Sequence, residues 1–389
     1  MRVVVIGAGV IGAASAFRLA QAGAEVVLVD RTGVAAETSS RCEGNVLVSD
    51  KGSDASVRPE AELAIASNAM WRELAAELDA ERGHGPATEF EAKGGVVVAF
   101  PGGAEALAAF AEGQRGIGIR ADVVDAAALA RLEPDLSPEV VLGVHYPDDA
   151  QVQPSLATQS LAAAAIRRGA RLVRAEVTGA RWRSGRIAGV DTSVGPIEAD
   201  AVVLCAGPWS GEVAARLGTR LDIRPRRGMI LVTTPMRQRV LHKVYDADYV
   251  GAVGSGDAQL QTSTVVESTP AGTVLIGSSR ERVGFDETGA LAPLQEIAAK
   301  AVRLFPFLAA TQLLRTYGGF RPYAPDHLPV IGEDAGVPGL FHASGHEGAG
   351  IGLAPATAEL VAHHVLGTPT ALDAAPFLAS RASLTEAVA

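Results

Sequence analysis

Apolar residues recur along this chain in two rhythms that divide it into elements. Residues 2 to 6 (Arg-Val-Val-Val-Ile) and 26 to 29 are short unbroken apolar runs, which predict strands buried on both faces. Between them residues 11 to 22 form an Ala-rich stretch of helical spacing. From 32 to 59 both periodicities vanish among Ser, Gly, Thr and Asp, so a long loop is expected. Pro59 stands where a helix begins, and Leu63, Ala66, Met70 and Leu74 keep helical spacing to about Arg82. Residues 94 to 100 read as a buried strand, 125 to 132 as a short helix, 155 to 168 as a helix and 171 to 177 as a strand. A hairpin follows around Arg183, Ser184 and Gly185, and an apolar strand over 201 to 206 runs into Gly207-Pro208-Trp209-Ser210. Residues 216 to 324 carry β-branched runs, such as 229 to 234 and 273 to 278, the mark of a mostly β unit. The last segment repeats the opening pattern, with a strand over 340 to 343, a glycine-rich loop from Gly345 to Gly350, and a helix from about Ile351 to Val365.

The first strand runs straight into Gly7-Ala8-Gly9-Val10-Ile11-Gly12. Gly7 permits a tight turn, Gly9 lets backbone approach a pyrophosphate, Gly12 lets helix and strand pack closely, and the helix start supplies oriented N–H groups. Asp30, eighteen positions past Gly12, ends the second strand where it can accept hydrogen bonds from a ribose. The spacing predicts an adenine dinucleotide, although glycine-rich strand–helix turns also occur without one. Arg31 suggests a 2′-phosphate, but Asp30 would repel it, which weighs against NADP. The second glycine loop, more than 300 residues later, is superfluous in a contiguous NAD domain. A longer ligand, FAD, gives both loops a purpose.

At 389 residues the chain exceeds the roughly 250 to 300 that one hydrophobic core supports, so two domains are expected. A net charge of −10 weighs against nucleic acid and anionic membrane surfaces as partners. Two cysteines, Cys42 and Cys205, lie far apart and outside any C-x-x-C spacing, which weighs against a disulfide framework, structural zinc or an iron–sulfur cluster. His342 and His346 lack the carboxylate or thiolate companions of a metal site, so no metal is expected. The opening strand leaves no room for a signal peptide, no apolar run reaches the roughly 18 to 20 residues of a membrane span, and the cytoplasm is the expected location.

In order and spacing these motifs resemble the D-amino-acid oxidase family of FAD-dependent oxidoreductases, which includes glycine and sarcosine oxidases and several amino- or imino-acid dehydrogenases. The resemblance rests on the Gly7–Gly12 turn, Asp30-Arg31, Thr38-Ser39-Ser40 and Cys205-Ala206-Gly207-Pro208-Trp209-Ser210. It continues through Gly319-Phe320-Arg321-Pro322, Asp326-His327-Leu328-Pro329-Val330-Ile331-Gly332 and Gly345-His346-Glu347-Gly348-Ala349-Gly350-Ile351. Gly44-Asn45 and His346-Glu347-Gly348 look closest to catalytic subunits of hydroxyproline, proline or opine dehydrogenases, which often work with further subunits. A hetero-oligomer with electron-accepting subunits is therefore one expected assembly.

The resemblance implies an α/β architecture: a Rossmann-type FAD-binding domain discontinuous in sequence (1–82, 145–215 and 325–389), with an inserted α+β substrate domain (83–144 and 216–324) on a mostly antiparallel sheet. It implies oxidation of the Cα–N bond of a small amino or imino acid by hydride transfer to flavin N5, with Arg321 gripping the α-carboxylate through two parallel hydrogen bonds. Ser39, Ser40, Gly44 and Asn45 would line flavin and pyrophosphate, Val177 would meet adenine through its backbone, and Ala206, Gly207 and Trp209 would let the chain pass close to the cofactor. Gly345, Glu347, Gly348, Gly350 and Ile351 would bring loop N–H groups and a helix dipole to the flavin. His346 would contact flavin or substrate, or only orient its loop. Tyr245, Tyr249 and Tyr323 are candidate pocket walls, Tyr249 the best placed, and otherwise core or surface tyrosines. With no cysteine beyond Cys205 and no histidine before His84, FAD is expected to be non-covalent. The rival readings are an NAD(P)-dependent dehydrogenase and a non-catalytic FAD-carrying subunit.

Overall fold

Because the opening strands are apolar on both pleat faces, each face must be covered, and the chain covers them with different material. In the computed structural model, which describes residues 1–247, 260–289 and 291–386, Val3, Val5, Val26 and Leu28 face a layer of helices. Val4, Ile6, Val27 and Val29 alternate to the other side and pack under a small antiparallel sheet built from Val177–Arg183, Arg186–Thr192 and Ile197–Glu198.

The central sheet runs in the order Val330–Glu333, Leu340–Ser344, Ala201–Leu204, Arg2–Ile6, Glu25–Asp30, Arg171–Arg174. Every pairing is parallel except the one between Val330–Glu333 and Leu340–Ser344. Strands from both ends of the chain thus share one sheet. Its helical layer is Val10–Gln21, Arg58–Arg82, Pro154–Arg167 and Gly350–Leu366. The fully buried Trp71 donates its indole N–H to the Ile351 carbonyl at 2.8 Å, and Ser67 donates to the Gly352 carbonyl at 2.6 Å. These bonds pin the start of the last helix, and hence the glycine loop before it.

The expected strand over 171–177 is two strands. Ala175 N–H closes pairing with Asp30 at 2.9 Å, and Val177 then opens the small antiparallel sheet. A second, eight-stranded sheet runs from Leu313–Tyr323 through Arg224–Thr233, Val274–Arg280, Gln261–Ser268, Lys243–Asp246, Gly95–Ala99 and Leu142–Tyr146 to Asp122–Asp125. It is antiparallel throughout except where Lys243–Asp246 meets Gly95–Ala99. Leu142–Tyr146 crosses the division expected at residue 144. Among the described residues of this half, two helices escape the sequence reading: Ala104–Gly116 and Leu291–Leu304. The latter covers the sheet with Pro293, Ile297, Ala301 and Leu304, a helical stripe inside a segment otherwise dominated by strand formers.

Candidate active site

The glycine turn is built by exclusion. Gly7 has φ +103°, and a Cβ there would run into the Cys205 carbonyl oxygen, as one on Gly12 would run into the Gly7 carbonyl oxygen. The helix that follows has no side-chain cap of its own; its first N–H, that of Val10, donates to Ser39 Oγ at 2.9 Å. The helix Gly350–Leu366 likewise starts without a side-chain cap. Both starts border one cavity of about 1650 Å3, its open mouth included, through Gly9, Val10 and Ile11 on one side and Gly348, Gly350 and Ile351 on the other. Two partly positive helix ends on one cavity suit an anionic ligand.

Asp30 marks one end of that cavity. Its Oδ2 accepts the Ala8 N–H at 2.8 Å, while Oδ1 accepts the N–H groups of Thr32 and Gly33 at 2.8 Å each, so the acid fastens the glycine turn to the loop beyond it. Arg31 lies 4.4 Å above the Trp209 ring, which in turn stacks on Phe285. Val177 lines the same end, with its carbonyl accepting from Arg216 Nη1 at 3.0 Å. A glycine cradle without side chains, two helix N-termini and an acid at the far end fit an extended dinucleotide. Gly7, Gly9, Asp30, Arg31, Ser39, Ala206, Gly207 and Trp209 would hold it.

The other end abuts the eight-stranded sheet. Arg321 projects from Leu313–Tyr323 in register with Arg226 and lines the cavity. Its Nη1 donates to the Ser279 carbonyl at 2.8 Å and Nη2 to Ser278 Oγ at 3.1 Å. Gly228 lies beneath the guanidinium, where any Cβ would collide with it. Beside it, Glu347 adopts a left-handed φ of +45°, a conformation that is costly outside glycine and is found at constrained sites. Glu347 Oε1 accepts from the buried Arg226 Nη1 at 2.7 Å and lies 3.9 Å from Arg280 Nε.

His346 lines the cavity but is buried, its Nε2 sharing a 3.0 Å hydrogen bond with Thr357 Oγ1. Burial pulls the imidazole down to about 3, so it is neutral at neutral pH. The unfolded chain therefore protonates this histidine first as pH falls. Its contribution is complete above about 6.5 and is lost progressively as pH drops toward about 3. Urea denaturation at stepped pH should show His346→Gln flattening that acid decline. His342 pairs instead with Asp334 Oδ2 at 2.7 Å, and no group of three His, Cys, Asp or Glu among the described residues can hold a metal. Cys42 and Cys205 both line the cavity, yet burial pushes each thiol up to about 12, which leaves them poor nucleophiles.

Most residues singled out from sequence meet in this cavity, Gly44, Asn45 and Glu347 included. Gly12 lies behind the turn as packing. Ser40 points away, donating to the Glu37 carbonyl at 2.9 Å, and Gly345 is a left-handed turn against Ile223 and Ala324. Tyr245 is a core residue bonded to Ser49 and Asp149, and the Tyr323 hydroxyl accepts from Arg282 at 2.8 Å. Tyr249 lies outside the described residues. Sequence reading missed Glu43 and Arg280, both on the cavity wall. Arg280 had a signal, an arginine closing an apolar strand run; Glu43 had none beyond its place before Gly44.

A model of the family described as DAO, FAD dependent oxidoreductase, matches residues 2–364. The chain is 31% identical to a glycine oxidase of Pseudomonas putida over 97% of each chain. It is 31% identical to the hydrogen cyanide synthase subunit HcnC of Pseudomonas aeruginosa, over 82% of this chain and 74% of that protein. The crystal structure of glycine oxidase from Geobacillus kaustophilus superposes with a TM-score of 0.87 at 28% identity, covering 98% of this chain and 99% of that one. With its paired glycine loops around one cavity and a family match spanning nearly its whole length, the chain belongs to the DAO family of FAD-dependent oxidoreductases.

Proposed function

We propose that this protein oxidises the Cα–N bond of a small amino or imino acid, with Arg321 holding the α-carboxylate. The observation that carries this reading is a cavity-lining guanidinium, fixed by Ser278 and Ser279, on the wall that the eight-stranded sheet gives to the cavity. FAD, when bound, accepts the two electrons and the Cα hydrogen as hydride. The chain supplies orientation: a planar fork that matches a carboxylate, and a wall on which Gly228 leaves room for it. Glycine oxidase as a relative supports a small substrate. The fit of both glycine loops to one ligand favours FAD over a nicotinamide, as the family does. Kinship with a synthase subunit supports association with further subunits.

FAD is held without a covalent bond, in keeping with the two protonated thiols. Acid precipitation should leave the flavin in the supernatant; a yellow pellet would contradict this. The function is tested by adding D- and L-amino acids, prolines, hydroxyprolines, sarcosine and opines to the holoenzyme without oxygen. At least one should bleach the flavin absorbance. If none does, the chain is a flavin-carrying subunit instead.

A further inference from the structure

We infer that Glu43 is the second half of the substrate clamp, binding the positively charged amine of the molecule whose carboxylate Arg321 holds. This rests on the function proposed above. Glu43 sits in the loop between Glu25–Asp30 and Arg58–Arg82, lines the cavity and is only 8% exposed. Its Oε2 accepts from Asn45 Nδ2 at 3.3 Å, whereas Oε1 has no hydrogen-bond partner among the described residues. Leaving a buried carboxylate oxygen unsatisfied is unfavourable, so a glutamate on a cavity wall with one such oxygen gains from a donor brought into that cavity.

The buried cation that feels its charge, Lys243, does not serve Glu43: it is ion-paired with the equally buried Glu267. Room for the Glu43 carboxylate is made by Gly277, where any Cβ would collide with Oε1. Gly277 pairs with Ile230, and Arg321 lies over Gly228. Alternate residues of one strand face the same side, so Gly228 and Ile230 present both charges to one face of the sheet. Two glycines, on neighbouring strands, thus make space for a guanidinium and a carboxylate on one wall. That pair complements a zwitterion: the carboxylate goes to Arg321 and the ammonium, or the ring NH2 of an imino acid, goes to Glu43.

The test uses matched probes with and without nitrogen: glycine against acetate, and proline against cyclopentanecarboxylate. Each is mixed anaerobically with FAD-loaded protein in a stopped-flow instrument, with Kd read from saturation of the rapid flavin absorbance change that precedes any reduction. In Glu43→Gln the preference for the nitrogen-bearing member should fall about tenfold or more, with binding of the plain carboxylate retained. Glu43→Asp, which keeps the charge, should preserve much of the preference. Equal weakening of both members, or no change in either, overturns the proposal. Arg321→Lys should weaken both members of each pair; if it does not, the reading of Arg321 fails and Glu43 is judged on its own ratio. If the glutamine variant cannot hold FAD, the unaltered holoenzyme decides: ethylammonium displacing glycine supports the clamp, and failure to displace it overturns it.

Discussion

Arg321→Ala should lower kcat/KM for a carboxylate-bearing amine by about 2 to 5 kcal/mol, roughly thirtyfold to several thousandfold, the range for truncating one member of a desolvated, hydrogen-bonded charge pair. The size follows from how the guanidinium is held. Ser279 and Ser278 fix its plane, Gly228 lies under it, and a Cβ on Gly348 would stand only 3.7 Å from its Nε. A methyl group in place of that side chain leaves the substrate carboxylate in the cavity with its charge unanswered and its Cα misplaced. Both binding and orientation are lost, so kcat should fall along with a rise in KM. Arg321→Lys keeps the charge without the fork and should recover only part of the loss. Steady-state kinetics on the best substrate of the anaerobic screen measures this, and unchanged constants on a carboxylate substrate would refute the role.

Gly12→Val should remove the cofactor altogether. A Cβ at this position runs into the Gly7 carbonyl oxygen and approaches the Cys205 side chain to 3.3 Å, and both neighbours sit at the packed ends of sheet strands. The helix Val10–Gln21 must then lift from the strand it follows. It cannot do so freely, because it also packs against Pro154–Arg167 and Gly350–Leu366. Overpacking of this kind costs about 3 kcal/mol or more, and where the displaced atoms are the N–H groups facing the ligand it becomes lost affinity, more than about a hundredfold. The variant should purify colourless with a lowered Tm. A control separates this from glycine loss as such: Gly116, at the end of the helix Ala104–Gly116, has no atom within 4 Å of a Cβ. Gly116→Ala should retain FAD and full stability.

The parts legible in the sequence are those whose cause is local. A continuous Val-Val-Val-Ile run is buried on both faces wherever it lies, and the Gly7–Gly12 spacing encodes its own turn, so strand, turn and helix could be placed within a residue or so. The terminal loop at Gly345–Gly350 was legible for the same reason. Leu291–Leu304 was hidden because its buried stripe of four residues sits in a segment whose composition speaks for strands. The helix Ala104–Gly116 buries only Leu107, Ala111 and Gln114, too thin a stripe to stand out from an Ala-rich background.

Side-chain placement in the site was less legible, since it depends on residues brought together across the chain. Nothing near Ser40 in sequence indicates that its hydroxyl turns back to the Glu37 carbonyl while its neighbour Ser39 turns inward to cap Val10. Tyr245 is a fair candidate for a pocket wall by sequence, yet it is fully buried with its hydroxyl bonded to Asp149 and Ser49. Glu43 gains its meaning only from Gly277, and Arg321 its rigidity only from Ser278 and Ser279 on another strand.

A crystal structure of the FAD-bound protein with acetate tests the central claim most directly. The account expects one FAD molecule with its adenine half beside Asp30 and Val177, its ring system between the Gly348–Gly350 loop and the eight-stranded sheet, and the acetate on the Arg321 guanidinium. A ring system remote from Gly348, or acetate bound away from Arg321, would contradict it.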